Sequence, residues 1–271
     1  MVGETLAGES VAPPPLRVYV AGGIALRAAD GLTIGEDAFA GRQARRLFVR
    51  LVADHGAVPH VELADDLWGA TWPPAWDVAL RALVSKLRSS LAGVGAPGAL
   101  VSRDGAYMLS LPAGTWLDLD EARAAIHRAE TGLTDGDLPG ACGWALASRA
   151  IASRSLLVGE EGEWLESLRR RMADVRLRAL EVLTEVWISQ GDAALATRDA
   201  AEAVEIDPYR ESAHRLLIRA YLAGGDRGAA ARALEACRRI FEEELGVTPD
   251  PTTIALLLGP SDRVTSRSTD R

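Results

Sequence analysis

The chain has 271 residues, 48% of them hydrophobic and 25% charged, with 38 acidic against 30 basic side chains and a net charge of −8. This length suits two ordinary domains with proper cores. No apolar run reaches the ~18 residues of a membrane span, so no membrane-spanning helix is expected, and the two cysteines, Cys142 and Cys237, stand too far apart for thiolate metal spacing.

The opening MVGETLAGESVAPPP has neither a basic start nor a long apolar core. Residues 1–15 are therefore expected to form a mobile leader rather than a signal peptide. LRVYVAG, IALRA and LTIG read as short strands, with turns at Gly22-Gly23 and Asp30-Gly31. A helix is predicted over Arg42–Asp54, with Leu47, Phe48, Leu51 and Val52 on its core face. HGAVPH reads as a loop, and a short helix follows over Val61–Trp68, ending at Gly69.

The segment WPPAWDVALRALVSKLRSSL carries the most information. Its Pro pair permits a helix start, and the helix, Pro74 to Leu91, sets Leu80, Leu83 or Val84, Leu87 and Leu91 on one face. Arg81, Ser85, Lys86 and Arg88 fall largely elsewhere. After the linker GVGAPG, LVSRDGAYMLSL reads as two strands joined by a turn at Gly105. Strands, three helices and then a hairpin carrying an Arg form the order of a winged helix-turn-helix, which reads double-stranded DNA.

From Asp118 the pattern is almost purely helical. Helices are predicted over Asp118–Thr131, Leu138–Ala152, Glu163–Gln190, Ala193–Ile206, Tyr209–Ala223, Asp226–Leu245 and Thr252–Leu258. Gly-Asp recurs at 136–137, 191–192 and 225–226, and the last two pairs are 34 residues apart, which is the tetratricopeptide period. Asp supplies the capping oxygen and Gly the turn. The expected class is mainly α with small β: a winged-helix domain over 16–112, a tetratricopeptide-like domain over 113–259 and a disordered tail over 260–271.

Charge is unevenly spread. Residues 16–112 hold ten basic and nine acidic side chains, whereas residues 113–259 hold 17 and 25. The acidity thus belongs to the helical half, and a near-neutral first domain binds DNA if its cations share a face. Lys86 is the single lysine among 30 basic residues, a bias that points to a GC-rich bacterial genome.

The chain resembles the antibiotic regulatory protein (SARP) family, in which an OmpR-like winged helix precedes a bacterial transcriptional activator domain. The matching pieces are GRQARRLFVRLVADHG, VELADDLWG, PPAWDVALRALVSKLRSSL and SRDGAYMLSL, and then DPYRESAHRLLIRAYLAGGDRGAAARALEACRRIFEEELGVTPDP. The resemblance implies a cytoplasmic activator that binds direct repeats near a promoter, recruits RNA polymerase and controls a secondary-metabolite gene cluster. It further implies a wing Arg in the minor groove and a polymerase contact in the loop after the second helix. Trp76-Asp77 and Ser85 depart from the residues common at those places.

The DNA-face candidates are Arg81, Ser85, Lys86 and Arg88, with Arg suited to guanine and Lys to phosphate; the alternative is an ordinary solvated face. Arg103 is a minor-groove candidate or a strand-end partner of Asp104. Arg42, Arg45 and Arg46 open a helix where phosphate binds, or are plain surface charge. Asp66, Trp68, Trp72 and Trp76 are the polymerase-contact candidates, with core packing as the alternative. Trp144, Trp164 and Trp187 are expected in helix-pair cores. Glu160-Glu161 and Glu242 to Glu244 are expected to be solvated, and His55, His60, His127 and His214 to be structural.

No GxxxxGK[ST] loop occurs. No nucleophile, base or metal constellation appears either, so neither an enzyme nor a cofactor is expected. The helical domain is a candidate for dimerisation on DNA, and its groove for an unidentified ligand. The rival reading is a helical-repeat interaction adaptor whose winged helix no longer binds DNA.

Overall fold

A computed structural model describes residues 15–257. The expectations for the leader (except Pro15) and for the tail lie outside those residues. The chain divides into two compact units, Met1–Glu121 with Arg154–Arg169, and Ala122–Ser153 with Arg170–Arg271. The segment Arg154–Arg169, read from sequence as part of the helical half, therefore clusters with the first unit.

The first unit runs β1 (Leu16–Tyr19), β2 (Ala25–Ala28), β3 (Thr33–Ile34), α1 (Arg42–Asp54), β4 (Val58–Pro59), α2 (His60–Trp68), α3 (Trp76–Gly93), β5 (Leu100–Arg103), β6 (Ala106–Leu109) and β7 (Trp116–Leu117). One sheet has the order β3-β2-β1-β7 and the other β4-β6-β5. β7 pairs parallel to β1, while the other neighbours are antiparallel. Alternation places Leu16, Val18 and Leu26 inside and Arg17 outside. The expected HGAVPH loop contains β4, whose Val58 is buried and pairs with Tyr107. Both β4 and β7 are two-residue strands made by distant pairing, which leaves no local periodicity to read.

Asp118 joins the first sheet to α4 (Asp118–Asp135). Its buried carboxylate accepts backbone N–H from Val20 and Ala21 through Oδ2 (2.9 Å each) and from Leu119 through Oδ1 (2.8 Å). Burial pushes this carboxyl above its ordinary value, against the pull of those three donors.

Three helix pairs, α4 and α5 (Leu138–Ala152), α6 (Glu163–Gln190) and α7 (Ala193–Ile206), and α8 (Glu211–Ala223) and α9 (Arg227–Arg239), are joined by the three Gly-Asp turns; they belong to the second unit except for the starts of α4, to Glu121, and of α6, to Arg169. Gly136, Gly191 and Gly225 adopt φ of 79°, 79° and 77°, and Asp137, Asp192 and Asp226 accept from Gly140 N, Leu195 N and Ala229 N at 3.0, 3.0 and 2.8 Å. Small residues let helices approach: Leu180, Ala203 and Ala213 form one core cluster, and Ile218, Ala230 and Leu234 another. The last predicted long helix stops at Arg239 and passes into a π-helical turn, Ile240–Glu244; α10 covers only Pro251–Ile254.

Five arginines of the second unit pair with acids of other helices. Arg149 meets Asp199 (3.1 Å) and Glu202 (2.5 Å), and Arg176 meets Glu202 at 2.6 Å. Arg178 pairs with both oxygens of Glu130 (2.7 and 2.6 Å). Arg210 meets Glu181 and Asp174, and Arg219 meets Glu185. Two tryptophan expectations change. Trp144 is 40% exposed beneath the Arg128 guanidinium, 4.6 Å from the ring centroid, rather than in a helix-pair core. Trp164 belongs to the first unit. Trp187, by contrast, donates to the buried Asp199 at 2.9 Å.

Candidate nucleic-acid interface

α3 buries Leu80, Val84, Leu87 and Leu91, the spacing of a single helix face. Arg81, Ser85, Lys86 and Arg88 are all exposed, so the two faces separate as the pattern predicts. Arg81 Nη2 is held by Asp77 one turn earlier at 2.7 Å. Arg88 Nε donates to the Leu100 carbonyl at 3.1 Å, which ties the helix to the first wing strand. Two further outward residues escaped the sequence reading, Val78 (55% exposed) and Ser89. An apolar side chain such as Val78 is suited to a thymine methyl. Continuing the helical stripe through Arg81 and Ser85 by three or four residues in each direction finds both.

The wing is a two-residue hairpin in the register Arg103↔Ala106. Asp104 and Gly105 take φ of 51° and 76°, the left-handed pair a type I′ turn needs. Arg103 and Asp104 are each 86% exposed in their side chains and pair at 3.2 Å. The turn end of the wing is held by His60, whose backbone N–H donates to the Gly105 carbonyl (2.9 Å) and whose ring stacks on Tyr107 at 4.3 Å.

α1 treats its three leading arginines differently. Arg45 is half-buried and pairs with Glu36 at 3.0 Å. Arg42 is exposed, with Nε on Glu160 at 2.6 Å. Arg46 is only 5% exposed. It donates to Glu160 (2.8 Å), the Glu161 carbonyl (2.7 Å) and the Asp66 carbonyl (2.5 Å). A guanidinium so enclosed offers nothing to a phosphate, so the expected role of Arg46 gives way to a structural one. Glu160, expected to be solvated, is buried as its counter-charge. Burial pushes the Glu160 carboxyl up, but Arg42 and Arg46 outweigh it, and the group sits below the ordinary carboxylate value. Sequence reasoning missed this partner because it lies 114 residues away.

Trp164 lies against both buried arginines, 5.8 Å from Arg46 and 6.0 Å from Arg50. Arg50 reaches Asp66 (2.5 Å), Asp54 and Glu62. The Asp66 carboxylate therefore turns inward, and burial raises its affinity for a proton despite Arg50. Trp68, Trp72 and Trp76 are half-buried. Trp72 and Trp76 meet edge-on at 5.0 Å, and Trp72 Nε1 donates to Asp65 at 3.1 Å. Among the described residues no group of three potential metal ligands occurs, and no helix is long and apolar enough to cross a membrane.

Residues 117–257 match the family described as Bacterial transcriptional activator domain. The regulatory protein AfsR of Streptomyces coelicolor is 31% identical over 210 residues, which is 77% of this chain and 21% of that protein. The transcriptional regulator RedD of the same organism is 28% identical over 225 residues, 76% of this chain and 60% of RedD. The chain thus spans about a fifth of AfsR and three fifths of RedD. Among solved structures, Mycobacterium tuberculosis EmbR in complex with a low-affinity phosphopeptide has a similar fold, with a TM-score of 0.75 at 23% identity, covering 91% of this chain and 65% of EmbR. An activator domain covering over half of the chain, preceded by a winged helix as the element order requires, shows that the chain belongs to the bacterial transcriptional activator domain family and, with AfsR and RedD, to the antibiotic regulatory proteins, a family of transcriptional regulators.

Proposed function

We propose that the first unit binds double-stranded DNA sequence-specifically, with α3 in the major groove and the β5–β6 wing at the adjacent minor groove. The observation that carries this reading is the clean split of α3, in which four apolar residues are buried while Val78, Arg81, Ser85, Lys86 and Ser89 face outward. Arg81 and Ser85 address bases, Lys86 and Arg42 address phosphates, and Arg103 enters the minor groove. Arg88, anchored on Leu100, positions the wing. The protein acts in the cytoplasm as an activator of a secondary-metabolite gene cluster, binds direct repeats as two copies and contacts RNA polymerase through Trp68, Trp72 and Trp76.

Several of these cations have acidic partners: Asp77 on Arg81, Asp104 on Arg103 and Glu160 on Arg42. The exposed pairs Asp77–Arg81 and Asp104–Arg103 contribute about 0–1 kcal/mol, so phosphate competes with them successfully, whereas Arg42 shares the buried Glu160 with Arg46. The same interleaved acids favour a second reading, in which the winged helix has lost DNA and the helical unit serves as an interaction adaptor.

Selection of binding sites from random duplexes at near-physiological salt separates the two. Recovery of a spaced direct repeat supports the regulator, and recovery of nothing by folded protein supports the adaptor. On the recovered site, Lys86→Ala is expected to weaken binding uniformly across sequences and to lower the salt slope by about 1. An unchanged slope removes Lys86 from the interface.

A further inference from the structure

The position of each outward residue around the axis of α3 decides which of them enters a groove first. At roughly 100° per residue, Val78, Ala82 and Ser89 lie within about 30° of the direction opposite the buried stripe Leu80, Val84, Leu87 and Leu91. All three are exposed, Val78 by 55%. Ser85 and Lys86 stand about 50° to either side of that line, and Arg81 about 90° from it. The long charged side chains therefore reach in from the flanks, and the crest of the helix is made of short ones.

These three crest residues offer no free donor. The Ser89 hydroxyl donates back to the Ser85 carbonyl at 3.2 Å, and Val78 and Ala82 end in methyl groups. Such a crest does not answer the donor and acceptor pattern of the base edges. In the major groove its apolar counterpart is the C5-methyl of thymine. Pressed instead against the amino group of cytosine or adenine, an apolar side chain strips that group of water without replacing the hydrogen bond. Val78 and Ala82 are about one turn apart, about 6 Å along the axis, and so address base pairs one or two steps apart.

We propose that Val78 and Ala82 are specificity-determining residues of α3 and select A·T pairs at two nearby positions by resting on the thymine methyl groups. The inference rests on the reading of α3 as the major-groove helix and names the bases that this helix selects. Lys86 on phosphate fixes the register, and Arg81 and Ser85 bond the base edges to the side of the crest.

The test starts from the duplex that the full chain selects out of random sequence. Each thymine of that site is replaced in turn by deoxyuridine, which removes the methyl group and leaves the pairing edge intact. For each bound copy, two replacements are expected to weaken binding about fourfold each, the effect of one buried methyl. Val78→Ser should abolish the effect of one replacement and Ala82→Ser that of the other, as double-mutant cycles between protein and DNA methyls. A purely structural role would weaken thymine and deoxyuridine duplexes alike. Circular dichroism confirms the fold of both variants, whose substitutions are at exposed positions. Equal binding of all deoxyuridine duplexes, or a methyl effect that persists in both variants, overturns the assignment and leaves the reading of α3 standing. Folded parent protein that selects no site overturns that reading and the assignment with it.

Discussion

Arg46 and Lys86 show how two basic residues of the first unit divide between interior and surface. Arg46 stands on the inward side of α1 with three acceptors and a tryptophan face around it, whereas Lys86 stands on the outward face of α3 without an ion pair among the described residues. Truncating a buried, hydrogen-bonded ion of this kind leaves its acceptors unmet, and the cost is about 3–5 kcal/mol. Arg46→Ala is therefore expected to lose about that much stability in chemical denaturation. Lys86→Ala should stay within about 0.5 kcal/mol of the parent, as surface changes do. Equal stability of the two variants would refute this division. The sequence string RQARRLF places three arginines within one helical turn and a half. Periodicity alone assigned the core face to Leu47, Phe48, Leu51 and Val52, but nothing local showed that Arg46 faces Glu160. The same non-local pairing decided Asp66, which turns toward Arg50.

Elements were the most legible level of this chain. α1, α5, α6 and α7 match their predicted spans, and α3 buries the predicted stripe, because helical amphipathicity is a local signal. The Gly-Asp turns were equally readable, since the cap oxygen and the left-handed glycine act within four residues. Removing such a cap costs about 1 kcal/mol. Asp192→Ala and Asp226→Ala should each lower the unfolding free energy by that amount, roughly additively, as measured by urea titration. In the wing, Gly105 at φ 76° disfavours any Cβ. Gly105→Ala should cost about 1–2 kcal/mol of wing order, seen as faster amide exchange in β5 and β6 with α1 unaffected; uniform exchange rates would contradict it. What was not legible were β4, β7 and the π-helical turn at Ile240–Glu244. Two-residue strands exist only where a distant partner supplies their hydrogen bonds, and the helix break comes before the Glu run without any Gly or Pro to announce it.

For the whole molecule, acidity and ion pairing set the response to pH. Glu130 is held below its ordinary value of 4.5, chiefly by the hydrogen bonds of Arg178, and Glu160 by Arg42 and Arg46 against burial. In both cases the unfolded chain takes up a proton at higher pH than the folded one. Their stabilisation is complete above the ordinary carboxylate range and disappears as pH falls through the lower folded values. Asp118 acts in the opposite sense, because burial raises it and protonation favours its folded form. Thermal midpoints should thus fall between about pH 5 and 3, less steeply in Glu130→Gln and more steeply in Asp118→Asn. Parallel curves for all three proteins would show that these groups do not govern the acid limb.

The sequence by itself determined the element types, the two-part order of winged helix and helical repeat, the family, and the outward stripe of α3, because each is written in spacings of a few residues or in motifs of fixed order. Tertiary structure alone decided which charges remain available. It withdrew Arg46 and Asp66 into the interior, and brought Glu160 and Trp164 from beyond residue 154 to the first helix. Burial and pairing of these charges depend on neighbours 16 positions distant for Asp66 and 114 for Arg46, and no local pattern encodes them.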